Sequence, residues 1–194
     1  MFTILLDSSN TSLTVGLAKN DELIESVSYE AWQAQSEHMV PELDTLLKKY
    51  QVQRNDIESV VVAIGPGSYT GVRIALTIAK TIAVALGCKL YAISSLRCQK
   101  DCKNPSICVI NSRSGRSYFG VYEDEKVLVE DCILTNDKVI EYINEHKDYV
   151  VCGNAMYLGI EGKQPDIARE LLEIKKFSKP FENPLSLKPI YMKD

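Results

Sequence analysis

A buried strand, a glycine-rich loop and a long apolar helix follow one another without interruption between residues 60 and 86. The segment 60–64 is apolar at every position, which is typical of a strand covered on both faces in a partly parallel sheet. Glycines at 65, 67 and 71 then give the connection a backbone freedom that residues with side chains lack. This combination favours an α/β fold in which the loop leads directly from strand to helix.

The glycine-rich loop has two interpretations. Unpaired N–H groups and the dipole of the following helix favour an anion. A glycine-rich backbone can equally touch another backbone in a tight strand-to-helix turn. The spacing matches neither the P-loop nor the dinucleotide fingerprint, and no Lys-Ser or Lys-Thr pair follows. Both interpretations stay open, and the loop residues that they concern are Gly65, Gly67, Ser68, Thr70, Gly71 and Arg73.

Charge and composition limit the partners of this chain. Its 194 residues are 45% apolar, enough for a substantial core. With 26 acidic and 22 basic residues the net charge is −4, and no basic run is present. Phosphate neutralisation by Lys and Arg drives affinity for nucleic acid. We therefore expect any RNA role to depend on a partner.

The expected location is the cytoplasm, without membrane attachment. Residues 1–6 lack the basic start and long apolar core of a signal peptide, and no apolar run reaches the ~20 residues of a membrane span. The cysteines are scattered without a CxxC pair, which favours reduced core thiols over a metal or redox site. They are Cys88, Cys98, Cys102, Cys108, Cys132 and Cys152.

The first half of the chain predicts a ribonuclease-H-like unit. Three strands with short connections form an antiparallel meander. An amphipathic helix follows, with Ser36 as its N-cap and Pro41 tolerated if it lies in the first turn. The order then continues strand, helix, strand. The predicted bounds are 2–7, 12–18 and 23–30 for the meander, 36–50 for the first helix, and 60–64, 71–86 and 89–93 for the rest.

A similar but weaker pattern begins after residue 95. It predicts strands at 106–111, 117–123, 126–131 and 149–152, helices at 137–146 and 167–175, and an extended tail at 180–189. The polar stretch 97–105 separates the two patterns. We therefore predict an α/β, actin-like/ribonuclease-H-like (ASKHA) two-lobe fold with a shortened second lobe. Residues 1–96 form the first lobe, and 97–194 form the smaller lobe and tail.

The helix at 71–86 is too apolar to have one side in water. Its polar positions shrink to a band of Arg73, Thr77, Lys80 and Thr81, whereas a half-exposed helix shows a wide polar face. A partner protein or the rest of this chain is expected to cover it. For a partner, the predicted interface residues are Met39, Leu43 and Leu46 of the first helix with Ala75, Ile78, Ala79, Ile82 and Ala83 of this one.

The motif 65–73, preceded by Leu6-Asp7-Ser8-Ser9 and followed by Ser94-Ser95-Leu96, resembles the TsaB (YeaZ) family. Weaker similarity extends through 36–37, 41, 111–113, 118–122 and 189–193. The resemblance implies a non-catalytic subunit for threonylcarbamoyladenosine modification at position 37 of tRNA. It implies a TsaD-like catalytic partner, a TsaE-like ATPase, a homodimer when TsaD is absent, and tRNA contact only through the complex.

Two departures from the family pattern weaken the case for an active site in this chain. Where the family has His-Ser-Glu, this sequence has Gln35-Ser36-Glu37. Where the family has Asp-Ala-Arg, it has Asn111-Ser112-Arg113. The imidazole of the family pattern is thus missing at position 35, and the carboxylate is missing at position 111.

Enzymatic alternatives remain. An actin-fold ATPase or phosphotransferase would use Asp7, Ser8 and Ser9 near phosphates, with Gly153 and Asn154 at the nucleotide edge. No cofactor is firmly implied, although ATP or ADP at the junction with the partners stays open. A metalloprotease is disfavoured because His38 and His146 lack helical ligand spacing, and no metal site is predicted. A third alternative is a homodimeric scaffold unrelated to tRNA.

Overall fold

The computed structural model describes residues 1–101 and 104–192. Its first sheet has five strands in the order β3-β2-β1-β4-β5. The central strand β1 pairs antiparallel with β2 and parallel with β4. The bounds are β1 Phe2–Asp7, β2 Ser12–Lys19, β3 Glu22–Glu30, β4 Ile57–Ala63 and β5 Lys89–Ile93, with helices α1 Gln35–Lys49 and α2 Tyr69–Leu86.

Alternation along the central strands gives the first sheet two apolar faces. Ile4 and Leu6 point into a core shared with α1 and α2, whereas Leu5 points to the opposite face. In β4, Val60 and Val62 join the first core and Val61 joins the second. This explains the continuous apolar run at 60–64, because both faces of β4 are covered.

The second sheet has four strands in the order β8-β7-β6-β9. Phe119 and Val121 pack with Val139 of α3 on one face. On the other face Cys108 and Tyr122 contact Leu96, which follows β5. The bounds are β6 Ser106–Arg113, β7 Arg116–Glu123, β8 Lys126–Thr135, α3 Asn136–Glu145 and β9 Val150–Cys152.

Helix α4, Ile167–Lys175, returns to the first sheet. Its Ala168, Leu171 and Leu172 form the second core with Leu5 and Val61. The helix that the sequence placed in the second lobe therefore packs on the first, because the second face of β1 and β4 needs an apolar cover. The domain division at 96/97 stays a proposal.

The chain then crosses α2. The Nζ of Lys80 donates to the carbonyl oxygens of Leu185 (2.8 Å) and Leu187 (2.9 Å). The amide of Ile190 donates to the carbonyl of Ile64 (2.8 Å). Leu187 is 4% exposed and belongs to the first core. We call residues 183–191 the C-terminal strap; it holds one flank of α2 while α1 lies at the other.

The sequence-predicted elements are present, with local corrections. Ser68 caps α2, its Oγ accepting the amide of Gly71 (3.2 Å). For α1, Ser36 is not the N-cap; that position is Ala34, which offers no side-chain cap. Pro41 lies inside the helix rather than in its first turn. Strand β8 also extends to Thr135, four residues beyond the prediction.

Helix α2 is also long and apolar enough, by length and composition, to cross a membrane, with 18 residues and a mean hydropathy of 1.4. It packs one side on the first sheet, with Ala75 and Ala79 fully buried. The cytoplasmic location stays a prediction.

The described cysteines are free thiols. Cys98, Cys108 and Cys152 are buried, and burial raises the pKa of Cys98 and Cys108. A hydrogen bond from Cys108 lowers the pKa of Cys152, with which it is paired in register between β6 and β9. Cys102 lies outside the described residues.

Replacing Leu187 with Ala should destabilise the fold, because it removes a core side chain that pins the strap. We expect the free energy of unfolding to fall by about 2–4 kcal/mol. Leu185→Ala is the matched control in the same turn: this side chain is 68% exposed and its loss should cost less than about 0.5 kcal/mol. Urea denaturation measures both, and equal losses would contradict the packing described.

Candidate functional site

A cleft of about 810 Å³ lies between the two lobes. The first lobe contributes the glycine-rich loop and the start of α1; the second contributes the β6–β7 turn and residues 154–157. Among the described lining residues Arg113 carries the only charge, and none is a carboxylate, histidine or cysteine. The cleft is therefore lined by amides, hydroxyls and aromatic rings, which bind ligands well but supply no strong base.

The glycines of the loop are required by close backbone contacts. A Cβ at Gly71 would lie 1.9 Å from the carbonyl oxygen of Ser8, and one at Gly67 would lie 2.2 Å from that of Ser9. At Gly65 it would lie 2.6 Å from the carbonyl oxygen of Ile190 in the strap. The backbone-contact interpretation is thus seen directly, while the anion-binding one stays a prediction.

The β1–β2 turn, residues 8–11, holds the glycine-rich loop through hydrogen bonds. The Oγ of Ser8 donates to the carbonyl of Gly71 (2.7 Å), and the amide of Ser68 donates to the carbonyl of Ser9 (2.7 Å). Asp7 accepts the amide of Ser9 (2.8 Å). Burial raises the pKa of Asp7, which is 7% exposed. The structure thus shows Asp7, Ser8 and Ser9 holding the turn and the loop together. The role predicted for them at phosphates stays a prediction.

The two residues predicted at the nucleotide edge, Gly153 and Asn154, differ in their relation to the cleft. Gly153 has a φ of +96°, and a Cβ there would lie 2.1 Å from Oε1 of Gln99. This glycine is therefore required by local packing, and it does not line the cleft. Asn154 does line it. Of the five residues predicted for a nucleotide, Asn154 alone is a described lining residue of the cleft.

The two residues that replace the family's His and Asp, Gln35 and Asn111, line the cleft. Gln35 is 5% exposed, and its Nε2 donates to the carbonyl of Asn10 (3.2 Å), fixing the start of α1 to the β1–β2 turn. Asn111 accepts the amide of Arg113 (2.8 Å) and shapes the β6–β7 turn. Each side chain therefore holds the backbone at the cleft.

The predicted partner interface needs correction. Six of its eight side chains are 5% exposed or less and lie in the first core. The three alanines of α2 face the chain's own sheet, because small side chains let α2 approach β4 closely. Ile78 and Ile82 are only partly buried. The buried six are Met39, Leu43, Leu46, Ala75, Ala79 and Ala83.

The outward surface of the two helices is formed by other residues. We define the α1–α2 outer face as Val40, Ile74, Thr77, Ile78 and Thr81. Val40 is 52% exposed, both threonines are exposed, and both isoleucines are partly buried. The threonines of the sequence-predicted polar band mark this outward direction.

The two histidines lie in separate lobes, His38 on α1 and His146 after α3, where His146 stacks on Tyr142 (4.0 Å between ring centres). Within residues 1–101 and 104–192, no group of three or more metal-ligating side chains comes together.

Fold and cleft together define a two-lobe protein of the actin-like/ribonuclease-H-like class. The family model "TsaD: tRNA N6-adenosine threonylcarbamoyltransferase" matches residues 27–158. The chain belongs to this family.

Within the family, its similarity is to TsaB (YeaZ) proteins. It is 31% identical over 137 residues to the tRNA threonylcarbamoyladenosine biosynthesis protein TsaB of Bacillus subtilis, covering 69% of this chain but 60% of that protein. Identity to the uncharacterized protein MG208 of Mycoplasma genitalium is 28%, over 100% of this chain and 95% of that one. The fold matches YeaZ from Pseudomonas aeruginosa with a TM-score of 0.83 at 19% identity, covering 98% and 99% of the two chains.

Gly71→Ala should destabilise the protein, because a Cβ at this position collides with the carbonyl of Ser8. We expect the free energy of unfolding to fall by about 1–3 kcal/mol. Thr70→Ala, at the exposed neighbouring position, is the control and should change it little. Thermal melting compares the two. A stable Gly71→Ala protein would show that the loop does not depend on this contact.

Asp7 should make the fold less stable as pH rises. Its pKa is higher in the folded chain than the ordinary 3.8, so the native state holds the proton more tightly. The contribution of Asp7 to the free energy of unfolding is most favourable below pH 3.8, and it declines as the pH rises through the raised pKa. The difference in unfolding free energy, Asp7→Asn minus wild type, should therefore become more positive between pH 4 and pH 7. Parallel pH curves from urea denaturation would contradict this.

Proposed function

We propose that this chain is a non-catalytic subunit in the formation of N6-threonylcarbamoyladenosine at position 37 of tRNA. It docks on a TsaD-like catalytic subunit through the α1–α2 outer face. The observation that carries the proposal is this face: two adjacent helices, anchored inward on the first sheet, present apolar and threonine side chains outward in a protein of the TsaD family.

Family membership favours a partner of the same fold. Two related chains can meet through equivalent helices, as two copies do across a two-fold axis. Two helices of the partner packed on the outer face would complete a four-helix contact. When the TsaD-like subunit is absent, a second copy of this chain takes its place.

The cleft supports a non-catalytic role. General acid–base catalysis needs a positioned group with a suitable pKa. The described lining residues offer amides, hydroxyls, aromatic rings and Arg113. Asp7, which an actin-fold phosphotransferase would use, instead accepts the amide of Ser9 below the loop. We therefore place the chemistry on the catalytic subunit, with ATP or ADP, where present, at the junction between subunits.

We assign the remaining partners from the charge of the chain and from its resemblance to the TsaB family. A net charge of −4 disfavours direct binding of tRNA, so tRNA contact is assigned to the complex. A TsaE-like ATPase engages the same complex, and the site of action is the cytoplasm. The alternatives, an actin-fold ATPase or a homodimeric scaffold unrelated to tRNA, are separated by the following experiment.

Thr81→Arg should abolish docking while leaving the monomer folded. Thr81 is exposed on the outer face, so a large charged side chain there blocks the approach of a partner helix. We expect affinity for the TsaD-like subunit of the same organism to fall at least about 100-fold, as at a buried interface centre. Light scattering and titration calorimetry measure this. The control, Thr135→Arg, changes an exposed threonine of the second lobe and should bind normally.

The same variants test the role in tRNA modification. In a strain depleted of this protein, mass spectrometry should find the threonylcarbamoyl nucleoside reduced. Wild type and Thr135→Arg should restore it, and Thr81→Arg should not. Normal nucleoside levels in the depleted strain would refute the tRNA assignment. Normal levels with Thr81→Arg alone would move the docking surface elsewhere.

A further inference from the structure

An arginine lies between two tyrosines beside the outer face. The guanidinium of Arg73 is 4.0 Å from the ring centre of Tyr69 and 5.5 Å from that of Tyr191. The two rings are themselves stacked, with centres 5.0 Å apart. Nε of Arg73 donates to the hydroxyl of Tyr191 (2.5 Å). Both tyrosines are substantially exposed, at 58% and 41%. We call these three residues the tyrosine–arginine cluster.

The C-terminal strap holds this cluster in place. Ile190 bonds to the end of β4, and Lys80 bonds to two strap carbonyls, so Tyr191 reaches α2 from a fixed backbone. Tyr69 and Arg73 stand one turn apart on α2. A guanidinium confined in this way has lost much of the side-chain freedom that binding would otherwise remove.

The two segments that carry the cluster are basic. Helix α2 and the strap carry Arg73, Lys80 and Lys188 and no carboxylate, in a chain whose net charge is −4. The contacts that the structure describes for Arg73 are with tyrosines and include no acidic group. Among residues 1–101 and 104–192, no acidic group is described in contact with this guanidinium, which is complementary to a carboxylate.

We propose that the tyrosine–arginine cluster anchors the catalytic subunit by receiving one of its carboxylate side chains. The inference rests on the proposed function, because docking on the outer face brings the partner beside Arg73, one turn from Thr77. Tyrosine and arginine are the residue types that most often dominate binding energy at interfaces. The planar guanidinium binds a carboxylate through two parallel hydrogen bonds, which an ammonium group does not reproduce.

A protein carboxylate fits better than the alternatives. Lys80 is committed to carbonyl oxygens, so few cations remain to follow the phosphates of tRNA. A second copy of this chain packed α2 against α2 would bring the same basic helix towards itself. Both occupants are nevertheless separate outcomes of the test below.

Calorimetric titration of the TsaD-like subunit with wild type, Arg73→Ala and Arg73→Lys tests the proposal. We expect Arg73→Ala to weaken binding about 10- to 100-fold, because a charge-assisted bidentate contact is lost. Arg73→Lys should recover only part of this. Raising ionic strength should weaken wild type more than Arg73→Ala. Arg169→Ala, on α4 at the opposite face of the first sheet, is the matched control and should bind like wild type.

The outcomes separate this inference from the function on which it rests. If wild type does not bind the catalytic subunit, the proposed function fails and the anchor with it. If wild type and Arg73→Ala bind equally, the anchor alone is refuted. The anchor is also overturned if Arg73→Ala lowers only self-association, or only the affinity of the assembled complex for tRNA. Unchanged thermal melting of Arg73→Ala shows that a weaker complex is not caused by unfolding.

Discussion

The contact between the glycine-rich loop and the β1–β2 turn is the constraint on which the rest of the structure depends. Gly67 and Gly71 let the two backbones meet at distances that no side chain would permit. This contact sets where α2 begins, and α2 in turn lines part of the cleft and forms most of the outer face. A glycine-rich loop after a strand can thus be required by packing within the chain, independently of a phosphate.

The turn satisfies the polar groups that this contact buries. The amide of Ser68 donates to Ser9, the hydroxyl of Ser8 donates to Gly71, and Asp7 accepts within its own turn. Buried amides and carbonyls without such partners would be costly. Asp7, Ser8 and Ser9 thus form hydrogen bonds within the chain, whereas an actin-like enzyme would direct such residues at a nucleotide.

Local patterns in the sequence predicted the elements well, and long-range packing was where prediction was wrong. The bounds of β1, β5 and α4 follow from short-range signals, namely apolar runs and turn residues. The sheet on which α4 packs does not, because two of the strands that it covers, β1 and β4, lie over 100 residues earlier in the chain. Likewise, the apolar composition of α2 indicated that this helix is covered but not that its alanines face inward.

Because the alanines of α2 face inward rather than outward, other side chains control docking. With the alanines packed on the sheet, the outer face presents Val40, two threonines and two partly buried isoleucines, a less apolar surface than the sequence predicted. Covering such a surface stabilises a complex less per unit area than covering a more apolar one. Specific contacts at its edge then matter more for affinity and orientation. Tyr191, on the strap, lies 118 residues from Arg73 in sequence, so only the folded chain shows that such an edge contact exists.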